Sequence, residues 1–242
     1  MQYGPQNYVV SAEPVYSTLG AYVGQASGYV TDWYDQSHTG SQRNNLTQET
    51  AADQPTIVNG GSLVTDSSGN TAVDFNGTSN HMVLDTGFAY GINISGIASY
   101  AVFEADSTAS DQIVVSLANY SYDGGLNRFY APRIKTGNFV YAYGTEKTFA
   151  SGLANTNLNL ISLTADATQG DARGFLNGSQ VGSPTSLQNR SQQFSTSTVG
   201  LGAIADGQHF NGKIGEFLFY TGEGVSTSRE GIEASINQRF SI

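Results

Sequence analysis

The stretch Ala72-Val-Asp-Phe-Asn-Gly-Thr-Ser-Asn-His-Met-Val-Leu84 decides how the rest of the chain is read. Ala72 to Phe75 and His81 to Leu84 are short and apolar at alternate positions, the period of a strand with one buried face. Asn76-Gly77 between them is a strong turn pair, because both residues tolerate a positive φ. The same rhythm runs outward in both directions. Upstream, Thr56 to Val58 meets Gly60-Gly61, and Leu63-Val64 meets the polar run Asp66 to Asn70. Downstream, Ser99 to Glu104, Gln112 to Leu117 and Arg128 to Ile134 alternate with period two. Asn138 to Tyr143 puts Phe139, Tyr141 and Tyr143 on one face, with Val140 and Ala142 on the other. Leu158 to Leu163, Ala172 to Leu176, Ser197 to Leu201 and Lys213 to Tyr220 complete the set. Short strands separated by turn residues predict an all-β sandwich or barrel.

Composition agrees. Among 242 residues, 29 are Gly and 14 Tyr, and only 12% are charged. Glycine supplies turns and tyrosine suits half-buried strand faces, while 38% apolar residues suffice for a core. The formal charge is −10, from 20 acidic and 10 basic residues, with no Lys/Arg cluster. Nucleic acid and anionic membrane surfaces are therefore not expected partners. No run of apolar residues is long enough to span a bilayer. The start, Met1 to Pro5, has neither a basic nor an apolar leader region and does not read as a secretory signal, so either a signal has been removed ahead of it or the protein is used without a cleaved leader. With no cysteine, disulfides, thiolate metal sites and cysteine nucleophiles are excluded.

Residues 1–15, with Pro5 and Pro14 and no clear period, read as an N-terminal arm, and 16–242 as one domain. Near the end, Thr227-Ser-Arg-Glu230 fits a capping box, and Ile232 and Ile236 form a single apolar stripe. A helix is predicted over Ser226 to Arg239, followed by an apolar tail, Phe240 to Ile242.

The run Tyr29-Val-Thr-Asp-Trp-Tyr-Asp-Gln-Ser37, with Asn44 to Gln48, Asp53 to Ile57 and Val73 to Gly77, resembles the concanavalin A-like (laminin G-like) domains. The branch is one found in bacteriophage virion proteins and exported bacterial proteins. Phe210 to Tyr220 and Arg229 to Ile236 resemble its last strand and terminal helix, so the likeness brackets residues 16–242. His38-Thr-Gly-Ser-Gln-Arg-Asn44 departs from the family's Gly-Asn turn. The resemblance implies a two-sheet antiparallel jelly-roll sandwich with a short C-terminal helix. Its seam is expected to run from the Trp33 strand to the Lys213–Tyr220 strand.

Trp33, Tyr34, Asp35, Gln36 and Ser37 form the densest polar–aromatic cluster, around the sole tryptophan. The ring could stack on a sugar while Asp35 and Gln36 bind hydroxyls. Alternatively Trp33 fills core while Asp35 and Ser37 shape the next turn. A lone Trp at a strand end is more often core, and the scaffold reading is preferred. The binding candidates are Tyr120, Tyr122, Asp123, Asn127, Arg128 and Tyr130, with Arg133 joining from the strand. Tyrosine offers a flat face and a hydroxyl at low entropy cost; the competing reading is a hairpin loop or a subunit contact.

The Tyr34-to-Gln48 segment is also similar to fungal arabinofuranosidases, whose activity needs two carboxylates roughly 5 Å apart if retaining. Glu104, Asp111, Asp123, Glu146 and Glu216 are isolated in sequence and form no such motif, so no catalytic residue is assigned. Some laminin G-like domains hold calcium, yet Asp166, Asp171 and Asp206 lack clustered spacing. His38, His81 and His209 lack ligand spacing, and His81 reads as a hydrogen-bonding residue. The resemblance thus leaves calcium open without support from the spacing, and no cofactor is expected.

The expectation is a non-enzymatic bacteriophage virion protein: capsid-attached, fibre or tail appendage, binding host-surface glycan. Its partners would be other virion subunits or copies of itself, and cell-surface carbohydrate. The alternatives are an extracellular or cell-surface carbohydrate-binding module or adhesin domain and, more weakly, a glycoside hydrolase.

Overall fold

The computed structural model describes residues 2–3, 19, 23–36, 44–84, 96–119, 128–143, 145–166, 171–186, 197–203, 208–221 and 226–242. They form two antiparallel sheets packed face to face, as the sequence predicts, and a C-terminal helix. One sheet runs, neighbour to neighbour, through Gln2–Tyr3, Gly28–Trp33, Leu46–Thr47, Met82–Leu84, Ser197–Leu201, Val115–Asn119, Arg128–Lys135, Asn138–Tyr143 and Thr145–Ala150. The other runs through Ser62–Leu63, Thr56–Asn59, Val73–Asn76, Asn211–Thr221, Gly96–Ala105, Leu158–Asp166, Asp171–Leu176 and Ser179–Ser186. Gly28–Trp33 belongs to both: Gly28 and Tyr29 pair with Thr56–Asn59, while Asp32 and Trp33 pair with Leu46–Thr47. Of residues 1–15, only Gln2–Tyr3 falls among those described.

The core lies between the sheets. Phe103 is fully buried, edge-on to Phe139 at 6.0 Å and to Phe210 at 5.9 Å, and Phe75 lies 6.3 Å from Phe210. Such tilted contacts suit the ring quadrupoles.

The Asn76-Gly77 turn does not make a hairpin. Val73–Asn76 and Met82–Leu84 lie in different sheets, so the turn is a corner that carries the chain across the sandwich. Side chains shape it locally. Asn76 Oδ1 accepts from the amides of Thr78, Ser79 and Asn80 at 3.0 Å each, and Asn80 Nδ2 donates to the Gln54 carbonyl at 3.1 Å. Asx turns of this kind offer the backbone an alternative to a ladder. The predicted strand Gln112 to Leu117 is also interrupted. Val114 is fully buried and donates to the Pro132 carbonyl at 3.2 Å, separating Gln112–Ile113 from Val115–Asn119.

One edge of the sandwich is sealed by Phe149, whose ring is inserted between the sheet edges. A Cβ at Gly174 would lie 2.3 Å from the ring, and one at Gly182 (φ 69°) 2.3 Å from the Phe149 carbonyl oxygen. Gly174→Ala is expected to cost about 1–3 kcal/mol through overpacking. It would appear as a lower urea midpoint at unchanged slope; an unshifted midpoint would show that Phe149 can turn aside.

The helix is Arg229–Phe240 and lies on the outer face of the second sheet, where Ile236 and Phe240 cover Ala98, Tyr100, Val102 and Leu160. It starts later than predicted: residues 226–228 form a turn, and Ser228 sits at the N-cap without a side-chain cap bond. The start is held by Arg229, whose guanidinium lies 3.8 Å over the Phe175 ring and pairs with Glu230 and Glu233. Phe240, predicted as tail, closes the last turn, and Ser241 ends the helix at φ 57°, its amide donating to the Asn237 carbonyl at 2.7 Å.

Candidate functional site

The Asn211–Thr221 strand changes character half-way. Asn211 to Ile214 have neighbours on both sides; from Glu216 onward only Gly96–Ala105 pairs with it among the described residues. The register slips between Ile214 and Glu216, placing a bulge at Gly215. Across from this half-strand stand Trp33, Leu46, Leu84 and Leu201 of the other sheet. Between them opens a cleft of about 580 Å³.

Leu46, Leu84 and Leu201 are buried and form an apolar floor. Trp33, Phe217 and Phe219 are half-buried against the core and line the walls, with Phe217 and Phe219 stacked at 6.5 Å. Tyr220 is 43% exposed and edge-on to Tyr100. Gln36, Asn44 and Asn70 contribute amides. Asp35 shapes the wall behind Trp33. Its Oδ2 accepts from the Asn44 amide at 3.1 Å, and its own amide donates to Asn45 Oδ1 at 3.0 Å, so it bridges the two ends of the 37–43 stretch.

The helix closes the cleft's outer rim. Phe240 rests on Gly215, where a Cβ would lie 2.8 Å from its ring. Arg239 Nη2 donates to Glu216 Oε1 at 2.6 Å and also to Oε2. The helix is held in place by a buried polar group. Glu233 is 5% exposed and paired with Arg229, and the Ser162 hydroxyl lies beside it outside good hydrogen-bond geometry. Burial raises the Glu233 carboxyl above its usual range, partly offset by Ser162 and Arg229. The Tyr100 hydroxyl is pushed up to about 12, first by burial and then by the Glu233 charge.

The structure brings Trp33, Tyr34, Asp35 and Gln36 together on the cleft, with Trp33 also packed on the core. Ser37 lies outside the described residues, as do Tyr120, Tyr122, Asp123 and Asn127. Arg128 and Tyr130 are described in backbone only, paired with Ala118 and Ser116. Arg133 is 6% exposed, and its guanidinium meets Asp111 at 2.6 Å; an ion pair, rather than open solvent, occupies it. Glu104 accepts from the Ser67 amide at 2.8 Å, while Asp123 and the Glu146 side chain lie outside the description. Asp166 and Asp171 are paired across a hairpin, Asp171 bound to Arg173, and Asp206 and His38 lie outside the description. Among the described residues no three or more His, Cys, Asp or Glu side chains are placed to hold a metal ion.

Two juxtapositions were not anticipated. His81 and His209 lie 6.0 Å apart, with His81 Nδ1 2.8 Å from the Ser79 carbonyl and Nε2 3.1 Å from the Gln48 amide. Phe217, Phe219 and Tyr220, read as an ordinary strand, turn out to line the cleft; that half-strand has a single paired neighbour among the described residues.

No family model matches the chain, and no curated protein is detectably similar to it in sequence. Solved structures do share its fold. The binding domain of botulinum neurotoxin serotype G superposes with a TM-score of 0.53 at 12% identity, over 82% of this chain and 50% of that one. A heptameric SAP-like pentraxin from Limulus polyphemus gives 0.51 at 12%, over 67% and 81%. Trypanosoma rangeli sialidase in complex with the inhibitor DANA gives 0.52 at 11%, over 67% and 27%. What these structures share with the chain is the antiparallel β-sandwich fold. The chain spans half or less of the toxin and sialidase chains.

Proposed function

We propose that this chain is a non-enzymatic glycan-binding β-sandwich, and that the cleft between Trp33 and the Glu216–Tyr220 half-strand is its binding site. One observation carries the reading: flat aromatic faces and amide groups converge on a single open cleft of about 580 Å³. Sugars present apolar C–H faces that stack on rings and hydroxyls that bond to amides. The carboxylates there, Asp35 and Glu216, are engaged by Asn44 and Arg239, which supports binding rather than acid–base chemistry.

The resemblance in the sequence supports a setting on a bacteriophage particle, with other virion subunits or further copies of this chain as partners. An exported bacterial adhesin module is the second setting. Light scattering separates them, since a chain that stays strictly monomeric at high concentration removes the virion setting.

A glycan array probed with the purified chain is expected to show binding. Tyr220→Ala should weaken any hit about tenfold, equivalent to ~1.4 kcal/mol, while the chain still unfolds cooperatively with only the modest loss of melting temperature due to the Tyr100 contact. An array with no hit removes the reading.

A further inference from the structure

We infer that the cleft takes neutral, hydroxyl-rich sugars and disfavours acidic ones, and that the Glu216–Arg239 pair sets this preference. The inference rests on the glycan-binding reading above and names its ligand class. Arg239 is the one cation among the described residues lining the cleft, and its Nη2 already donates to both oxygens of Glu216. Asp35 and Glu216 are the carboxylates among the described lining residues.

An acidic sugar therefore has two unfavourable routes. It can take Arg239 from Glu216, which leaves its own carboxylate beside that of Glu216. Or it can bind away from Arg239, with no other cation among the described lining residues to meet its carboxylate. The backbone of Arg239 is anchored beside Glu216, since Phe240, the next residue, is seated on Gly215. A neutral sugar meets none of these obstacles. Its hydroxyls can donate to carboxylate oxygens and accept from amide N–H groups such as that of Gln36, while its ring stacks on the aromatic walls. The net charge of −10 adds longer-range repulsion of anionic glycans at low salt.

The test compares a neutral galactoside with the same glycan bearing a terminal sialic acid, by titration calorimetry. The wild-type chain is expected to bind the neutral form at least about tenfold more tightly. Glu216→Gln keeps the shape of the side chain but frees Arg239, and should narrow that ratio several-fold by strengthening the sialylated form. Arg239→Gln, which leaves Glu216 unpaired, should widen it. A wild-type preference for the sialylated glycan overturns the inference and leaves the glycan reading standing. Binding to neither glycan, nor to any other on the array, overturns both. A neutral preference that neither substitution alters overturns the role of the pair.

Discussion

Phe103→Ala is expected to remove about 3–5 kcal/mol of folding stability. The ring is fully buried and lies edge-on to both Phe139 and Phe210. Its strand, Gly96–Ala105, is flanked on both sides, by Leu158–Asp166 and by Asn211–Thr221, so the backbone cannot easily close over the space. The loss combines transfer of the ring with the cavity left behind. Against a total of roughly 5–15 kcal/mol for a domain, it is a large share. Urea unfolding reads it directly; a loss under about 1.5 kcal/mol would mean that the surrounding rings repack to fill the gap.

Arg229→Ala should cost a comparable amount, about 3–5 kcal/mol, because it leaves Glu233 buried and without its ion-pair partner. It also removes the stacking of the guanidinium on Phe175. Here pH provides an internal check. Burial holds the Glu233 carboxyl above its usual range, so the native state takes up a proton more readily than the unfolded chain does. Stability from this group is fully present below the ordinary carboxylate range and is lost as pH rises through the raised native value. Arg229 is one of the groups that lower that value, so removing it moves the native value further up. The deficit of the variant should therefore be greatest at mildly alkaline pH and shrink in mild acid. A deficit independent of pH would mean that Glu233 is not the group left uncompensated.

Much of the sandwich was legible in the sequence because its central strands alternate cleanly. Ser99 to Glu104 carries a period-two pattern, with Ala101 and Phe103 between the sheets and Tyr100 and Val102 under the helix, whereas the bulge at Gly215 breaks the alternation in Lys213 to Tyr220. The edge strands were harder to see. Ser179–Ser186 contains Gly182 and Pro184 and is largely exposed, so it lacks the burial that creates a pattern. Leu46–Thr47 is too short for any period to show. The helix was visible through Ile232 and Ile236, but its start depended on Arg229 reaching Phe175, a contact made by tertiary packing rather than local capping.

The site was legible only in part. Trp33 to Gln36 stand out in the sequence as a cluster, and a lone tryptophan at a strand end reads as core. The ring serves both roles, resting on the interior while lining the cleft. Phe217 and Phe219 carried no separate signal, since an apolar residue facing a cleft and one facing a core alternate in the same way. Only the relative placement of the two sheets distinguishes them.

The strand Gly28–Trp33 hydrogen-bonds with one sheet at its start and with the other at its end. A sandwich without cysteine has no disulfide between its layers, and here one strand's hydrogen bonds serve as the cross-link. Peeling either layer away would tear the ladder at one end of this strand. The two layers are thus mechanically coupled and should come apart together, in one cooperative event. Trp33 stands at the far end of that tie, so whatever grips its ring pulls on both layers at once.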